Sequence, residues 1–484
     1  MPTVYLWGGA TTTESFWVRG RVDGRRARLA VAPDPGLADP VYFGPANATD
    51  DKVVSLRARR LEPATTYHYA FEVDGKLNRE VTGRIRTLPP LDAPADFTVA
   101  AFSCAGLYPH SPGIGDVLAP QRLSNTATFR TVVDHHDPIQ VVRLGDDDYY
   151  DLGSGRHKIK GGACVANFRR AIDDQLAQPN QAYLNRMCAV QKERDDHDGG
   201  PNNHDRAGDS IEAFLQVYRE RVPHYELTVP RNNFQSWRIG PAQFVLWDSR
   251  SDRDPNEFGD IGTKSMLGPN QRFAFAQVLA RSSADILVIY SPSAWYSGSE
   301  DSWARFGAEQ QWVLDRLDAH GWTDRVFIVQ GDIHALGLDT GTHTPGGIPV
   351  LQASAMDSWS GKPGSRWDTG PSEPGGDQYG TIHIADADGD LQVTMSAWRQ
   401  TDRRRTHTFT VPAKPRTPSA DITLLDIHEA VHELTARVES TERRQETVRD
   451  RLESRLLTRE LLLRYITIGV AAIAIVALVL ALVT

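Results

Sequence analysis

The chain has 484 residues, of which 40% are hydrophobic and 24% charged, as is typical of a large globular protein with more than one domain. Its formal net charge of -9 argues against general nucleic-acid binding, which requires a basic face. The cysteines are odd in number and are not spaced as a zinc motif, which argues against a disulfide framework and fits a reducing compartment.

Residues 1–90 contain short runs of alternating apolar and polar residues, separated by clusters of Pro, Gly and Asp. This pattern predicts a small all-β sandwich. The stretch from Leu61 to Tyr67 (LEPATTY) resembles the turn and tyrosine of fibronectin or immunoglobulin-like domains. No basic region followed by an apolar core stands at the amino terminus, so we expect no export signal there.

A proline-rich hinge at 89–94 leads into residues 95–412, where apolar runs alternate with helical stretches. The alternation predicts an α/β domain in which helices cover a sheet. We predict strands at 97–102, 139–144, 243–247, 285–290, 326–329 and 382–384, and helices near 163–176, 209–221, 269–281 and 308–319.

Polar residues follow several predicted strands at the point where each strand ends. The run Ile139 to Leu144 is followed by Gly145 and then, within six residues, by four aspartates and two tyrosines. The run 97–102 leads to Cys104, and the run 326–329 leads to Asp332 and His334. Because α/β sheets place their active sites at the carboxyl ends of strands, these residues predict a metal site.

The carboxyl-terminal region has a different pattern. After a linker at 413–420, apolar residues recur at alternating spacings of three and four within 421–464. This heptad pattern predicts a coiled coil and therefore a homo-oligomer, with packing of an amphipathic helix on the preceding α/β domain as the alternative. Residues 465–484 carry no charge, and Arg455, Arg459 and Arg464 precede them. We expect a single-pass transmembrane tail anchor with the preceding chain facing the cytoplasm.

Four motifs in order resemble the PhoD-like alkaline phosphatase family of metallophosphoesterases. They are Ser103-Cys104 after the first strand, Gly145-Asp146 with Tyr149 three residues on, Asp195-Asp196-His197-Asp198 with Asn202 downstream, and Gly331-Asp332-Ile333-His334. Leu267-Gly268 with Gln271, and Trp247-Asp248-Ser249-Arg250, match as well. The resemblance covers roughly residues 1–411 and implies an αββα sandwich behind the β-sandwich domain.

The resemblance also implies ligands and cofactors. Carried over from the family, Cys104, Asp146, Tyr149 and Asp332 would hold Fe³⁺, with Ca²⁺ alongside; another divalent metal is an alternative. Asn202 and His334 would serve the second metal or the phosphate. Asp195 and His197 are candidate catalytic residues that either bind metal directly or orient a ligand.

Several residues have a second interpretation. Cys104 could be a small core residue, and Tyr150 could replace Tyr149 as the ligand if the turn differs. Asp147 and Asp148 make the second motif more acidic than the family pattern, which would either strengthen cation binding or repel an anionic substrate.

These observations predict a membrane-anchored hydrolase that cleaves phosphate monoesters or diesters by attack of a metal-activated hydroxide. A non-enzymatic PhoD-like scaffold at the membrane is the alternative. A zinc hydrolase is disfavoured because histidines are few at the motifs.

Overall fold

The computed structural model describes residues 3–106, 124–147, 149, 164–208, 210–260, 262–357, 366–387 and 389–412. The chain divides into two units, Met1–Asp421 and Ile422–Thr484, and all of the described residues belong to the first. The predicted linker, coiled coil and transmembrane segment (413–420, 421–464 and 465–484) lie outside the described residues and stay predictions. Within the part that is described, no helix combines the length and apolarity needed to cross a membrane.

The amino-terminal region is a β-sandwich, as its alternating pattern predicts. One sheet has the order β1-β2-β5 and the other the order β4-β3-β6-β7, with β8 also paired to β6. The strands are β1 Thr3–Gly9, β2 Ser15–Val22, β3 Arg26–Ala32, β4 Val41–Asn47, β5 Val53–Arg59, β6 Thr66–Val73, β7 Lys76–Leu77 and β8 Gly83–Arg86. The Tyr67 hydroxyl accepts a hydrogen bond from the Glu62 backbone N–H at 3.0 Å, which gives the turn seen at the tyrosine corner of such sandwiches.

Two larger sheets form the centre of the α/β region. The first has the order β11-β10-β9-β19-β20-β21, and the second the order β12-β13-β14-β15-β17-β16-β18. Their strands are β9 Asp96–Phe102, β10 Gln140–Leu144, β11 Ala189–Glu193, β12 Gln235–Ile239, β13 Ala242–Leu246, β14 Ile286–Ser291, β15 Val326–Gln330, β16 Ala335–Asp339, β17 Val350–Ala353, β18 Glu373–Pro374, β19 Gln378–Ala387, β20 Asp390–Arg399 and β21 Asp402–Val411.

Helices cover the outer face of each sheet, so the region is a four-layer αββα sandwich as the resemblance implies. The helices are α1 Thr128–His136, α2 Val165–Leu176, α3 Pro179–Met187, α4 Asp196–Gly199, α5 Ile211–Arg221, α6 Gly268–Arg281 and α7 Gly307–Ala319. One apolar cluster fills the space between the two sheets, with residues such as Val142, Val288 and Val393. A second lies between the first sheet and α1, α2, α3 and α5, and a third between the second sheet and α6 and α7.

Strand direction positions the site. In the first sheet β9, β10 and β11 run parallel, and in the second sheet β13, β14, β15 and β17 run parallel. Parallel strands of one sheet deliver their following loops to one edge, and side chains from the loops after β9, β10, β11 and β15 come together in one cluster.

Candidate metal centre

The loops after four strands bring the predicted ligands together. Cys104 follows β9, Asp146 and Tyr149 follow β10, and Asp332 and His334 follow β15. The fourth loop, after β11, carries Asp195, Asp196, His197 and Asp198, of which the last three begin α4. All of these side chains except His334 and Asp332 are buried, and those two are partly buried.

Three overlapping triads of side chains have the spacing of metal ligands, because one donor atom from each member lies within 4.8 Å of the other two. The triads are Cys104 with Asp146 and His334, Asp146 with Asp196 and His197, and Asp146 with Asp195 and Asp332. Asp146 is common to all three, so it is placed to bridge two cations.

Tyr149 joins the same cluster. Its hydroxyl lies 3.4 Å from Asp146 Oδ2 and 2.9 Å from His334 Nε2, and its ring lies 4.4 Å from the His197 ring, centroid to centroid. The turn therefore directs Tyr149 into the site; Tyr150, the alternative ligand, lies outside the described residues.

Asp195 and His197 both have donor atoms within ligand range of Asp146. Direct binding is therefore compatible with the geometry for each of them. Asn202 lies in an exposed turn beyond α4, and its role as a ligand stays a prediction. The neighbouring Asn203 backbone N–H donates to Asp196 Oδ2 at 2.6 Å, which fixes that carboxylate.

The acidic side chains of the cluster repel one another in a buried site. Burial and the nearby Asp196 and Asp195 raise the pKa of Asp146 well above its usual value. Burial, followed by Asp195, raises the pKa of Asp332 in the same way. Burial also raises the pKa of the Cys104 thiol, with Asp146 as the next cause. A bound cation would remove this repulsion and lower all three pKa values.

Unpartnered oxygen atoms show that the donor set fits a metal. Asp146 Oδ1, Asp195 Oδ2 and Asp196 Oδ1 are buried and have no hydrogen-bond partner among the described residues. Buried polar atoms nearly always have a hydrogen bond, so three carboxylate oxygens without one in a single cluster fit a cation that would contact them. Carboxylate oxygens, a thiol, a phenol and two imidazoles are all groups that bind metal ions in proteins.

The backbone is strained where it presents the ligands. Cys104, Asp146, Asp332 and His334 have φ values of 54°, 55°, 74° and 54°, a left-handed conformation that non-glycine residues adopt at a cost. Gly145, with φ of 86°, is required for a second reason: a Cβ atom there would lie 2.2 Å from the Asp195 backbone nitrogen. The glycine lets the loops after β10 and β11 touch.

A buried guanidinium lies beside the acidic cluster. Arg250 is fully buried, and it donates hydrogen bonds from Nε to Asp195 Oδ1 and from Nη2 to Asp301 Oδ2. It also lies 3.7 Å from Asp196 Oδ1. Asp248 shapes this loop by accepting the backbone N–H of Arg250 at 3.0 Å. Sequence reasoning noted Arg250 only as a motif match and missed Asp301, which follows no predicted strand.

The charge of Asp147 is available neither to strengthen cation binding nor to repel an anionic substrate. Its carboxylate accepts hydrogen bonds from Arg143 at 2.8 to 3.1 Å and forms an ion pair with Lys192. Burial alone would raise the pKa of Asp147, but these two cations lower it below its usual value. Asp147 is thus internally neutralised, and Asp148 lies outside the described residues.

Two solved structures share this architecture. The structure of PhoD superposes with a TM-score of 0.63 at 17% sequence identity, and the match covers 90% of this chain and 98% of that one. The purple acid phosphatase PPD1 from yellow lupin (Lupinus luteus) seeds superposes with a TM-score of 0.54 at 12% identity, over 88% of this chain and 75% of that one. Neither a protein-family model nor a curated protein matches the sequence. On these superpositions, the chain has the PhoD-like metallophosphoesterase fold.

Proposed function

We propose that this protein is a membrane-anchored, metal-dependent phosphatase or phosphodiesterase that hydrolyses phosphate mono- or diesters. The observation that carries the proposal is the convergence of Cys104, Asp146, Asp195, Asp332 and their neighbours from four separate loops. Independent loops bring ionisable side chains this close at a cost in repulsion and strain, which is a mark of functional sites.

The residues divide into two ligand groups. By the family resemblance, Cys104, Asp146, Tyr149 and Asp332 would hold Fe³⁺, with Ca²⁺ or another divalent cation alongside. Asp196 and His197 lie within ligand range of Asp146 and would hold that second cation, which Asn202 and His334 would serve unless they bind the phosphate. Bound metal supplies positive charge for the phosphoryl oxygens and an activated water. The proposed assignment of Fe³⁺ follows the resemblance to PhoD-like alkaline phosphatases, and it is compatible with the thiol ligand, which Ca²⁺ disfavours because it takes oxygen ligands.

The chain's own groups then orient the substrate. Hydrolysis forms a bond between phosphorus and a water oxygen and breaks the bond between phosphorus and the ester oxygen, which takes up a proton. His334 is partly exposed, and its Nε2 lies 2.9 Å from the Tyr149 hydroxyl; it would contact either the second metal or the phosphate of the substrate. Arg250 is committed to Asp195 and Asp301, so its role is to hold the carboxylates.

The membrane part of the proposal rests on the sequence. An uncharged stretch of twenty residues, 465–484, follows three arginines, Arg455, Arg459 and Arg464. A cytoplasmic catalytic domain held near a bilayer makes lipid phosphodiesters a substrate class to test. Equal turnover of phospholipid and soluble diesters would argue against that preference.

The proposal is tested with the full-length protein, purified without added metal and assayed on a nitrophenyl monoester and a nitrophenyl diester. We expect turnover that chelator abolishes and that iron with calcium restores. Asp332→Asn removes one triad and should lose most of this turnover, whereas the exposed Asp402→Asn, which makes the same chemical change on edge strand β21, should keep it. A protein that stays inactive with iron and calcium supplied, and whose cellular function survives Asp332→Asn, would be the scaffold instead.

A further inference from the structure

Behind the metal centre, one carboxylate joins the two loops that carry Asp146 and Asp195. Asp198 is 3% exposed and is not a member of the three triads. Its Oδ2 accepts the backbone N–H of Asp146 at 2.7 Å and that of Asp195 at 3.0 Å. Its Oδ1 accepts the backbone N–H of Asp147 at 3.2 Å. A single side chain thus holds three amides from two loops.

A buried lysine balances the charge of Asp198. Lys192 Nζ, on β11, lies 3.2 Å from Asp198 Oδ1 and also pairs with Asp147. Arg143, on β10, provides the second cation by its contacts with Asp147. The two cations, Arg143 and Lys192, therefore balance the charges of the two carboxylates, Asp147 and Asp198. Buried charges are tolerated when they are paired in this way.

This arrangement explains how a strained loop is kept in place. Asp146 has φ of 55° directly after Gly145 at 86°, and its N–H donates to Asp198 Oδ2. The bonds to Asp198 fix that orientation while the Asp146 side chain faces Cys104, Asp196 and Asp332. Without them, the two loops lose a direct connection close to the ligand atoms.

We propose that Asp198 is a positioning residue that sets the separation of Asp146 and Asp195, and so the affinity of the metal centre, with Lys192 holding Asp198 in turn. This role rests on the proposed function, because it presumes that the triads bind metal. Groups that orient metal ligands typically change metal affinity by about 10- to 100-fold when they are altered.

The test measures metal binding directly. Full-length protein stripped with chelator is titrated with Mn²⁺, and free Mn²⁺ is followed by electron paramagnetic resonance. Asp198→Asn keeps the shape of the side chain but replaces one acceptor oxygen by an NH₂ group that faces other donors. We expect its Mn²⁺ dissociation constant to rise about 10- to 100-fold, with excess Mn²⁺ restoring turnover, while Asp402→Asn stays close to wild type.

Lys192→Met gives a second, independent variant if Asp198→Asn does not fold. It leaves the three amide bonds available and removes the cation that holds Oδ1, so Mn²⁺ binding should again weaken. A purely structural role would lower the melting temperature of the metal-free protein and leave the dissociation constant unchanged. Unchanged affinity in the folded variants, with an active and Mn²⁺-binding wild type, would overturn the positioning role alone. A wild type that neither binds Mn²⁺ nor turns over either ester would contradict the proposed function.

Discussion

Replacing Arg250 by methionine removes the buried cation of the acidic cluster while keeping most of the side-chain volume. The guanidinium is fully buried and bonded to Asp195 and Asp301, with Asp196 at 3.7 Å. Breaking a buried ion pair by removing one partner costs about 3–5 kcal/mol, because the remaining charge is left uncompensated. We therefore expect Arg250→Met to lower the free energy of unfolding of the metal-free protein by about this amount.

The metal-loaded protein should be affected less. A cation bound by Asp195 and Asp196 supplies part of the positive charge that Arg250 provides, so added metal should recover part of the lost stability. The dependence on metal separates an electrostatic role of Arg250 from simple loss of packing, since packing loss would be equal with and without metal.

The assay is urea unfolding followed by tryptophan fluorescence, in chelator and again in saturating Mn²⁺. Arg231→Met is the matched control, because Arg231 is 64% exposed and its partner Glu212 is 63% exposed. Exposed pairs contribute about 0–1 kcal/mol, so the control should change little. A loss for Arg250→Met no larger than that of the control, or one that metal does not alter, would refute this explanation of Arg250.

The remaining predictions concern a glycine, a histidine and the metal itself. Gly145→Ala should lower the free energy of unfolding by at least about 2 kcal/mol more than Gly75→Ala does. Gly75 is the control because its φ is 81° and no atom lies within 4 Å of the added Cβ. Equal losses in urea unfolding would contradict the close approach of the loops after β10 and β11. Burial, with His135 nearby, lowers the pKa of His136 to about 4. The unfolded chain therefore takes up a proton on this side chain near pH 6.5, whereas the folded protein does so only near pH 4. The stability that neutral His136 contributes is complete above about pH 6.5 and is lost as the pH falls toward 4. His136→Gln should lose less melting temperature between pH 7 and pH 5 than wild type or the exposed His135→Gln. Chelation should lower the melting temperature of wild type, because the raised pKa values of Asp146 and Asp332 reflect the burial of their carboxyl groups and the repulsion of neighbouring aspartates, both of which a cation would offset. An unchanged melting temperature would count against a metal.

The apolar pattern of the sequence was sufficient to predict the strands whose side chains are mostly apolar. The runs before Cys104, Asp146 and Asp332 correspond to β9, β10 and β15, and the four predicted helices correspond to α2, α5, α6 and α7 within two residues. Such elements are set by local burial, which apolar periodicity reports directly.

The pattern missed β11, which delivers Asp195. Its sequence, Ala-Val-Gln-Lys-Glu, is mostly polar, yet every residue is buried. Lys192 is tolerated there because Asp147 and Asp198 surround it. Such compensation joins residues that are distant in sequence, so a single strand's composition does not show it.

The site residues could be predicted only where they follow a predicted strand or belong to one of the four ordered motifs. These two features were enough to predict Cys104, Asp146, Tyr149 and Asp332 as ligands of one metal site. Asp301 gave no such signal, since it becomes part of the network only through Arg250 and Arg253, with Arg253 Nη2 at 2.6 Å from its carboxylate. Charge partners of this kind are properties of the folded chain.

The most direct test of the account is the metal content of full-length protein by mass spectrometry, measured for wild type, Asp146→Asn and Asp402→Asn. Asp146 is the one residue common to all three triads, so its substitution should affect every metal position at once. We expect iron with a second metal in wild type and in Asp402→Asn, and loss of both metals in Asp146→Asn. Equal metal content in Asp146→Asn and wild type, or a wild type that takes up no metal when iron and calcium are supplied, would contradict this expectation.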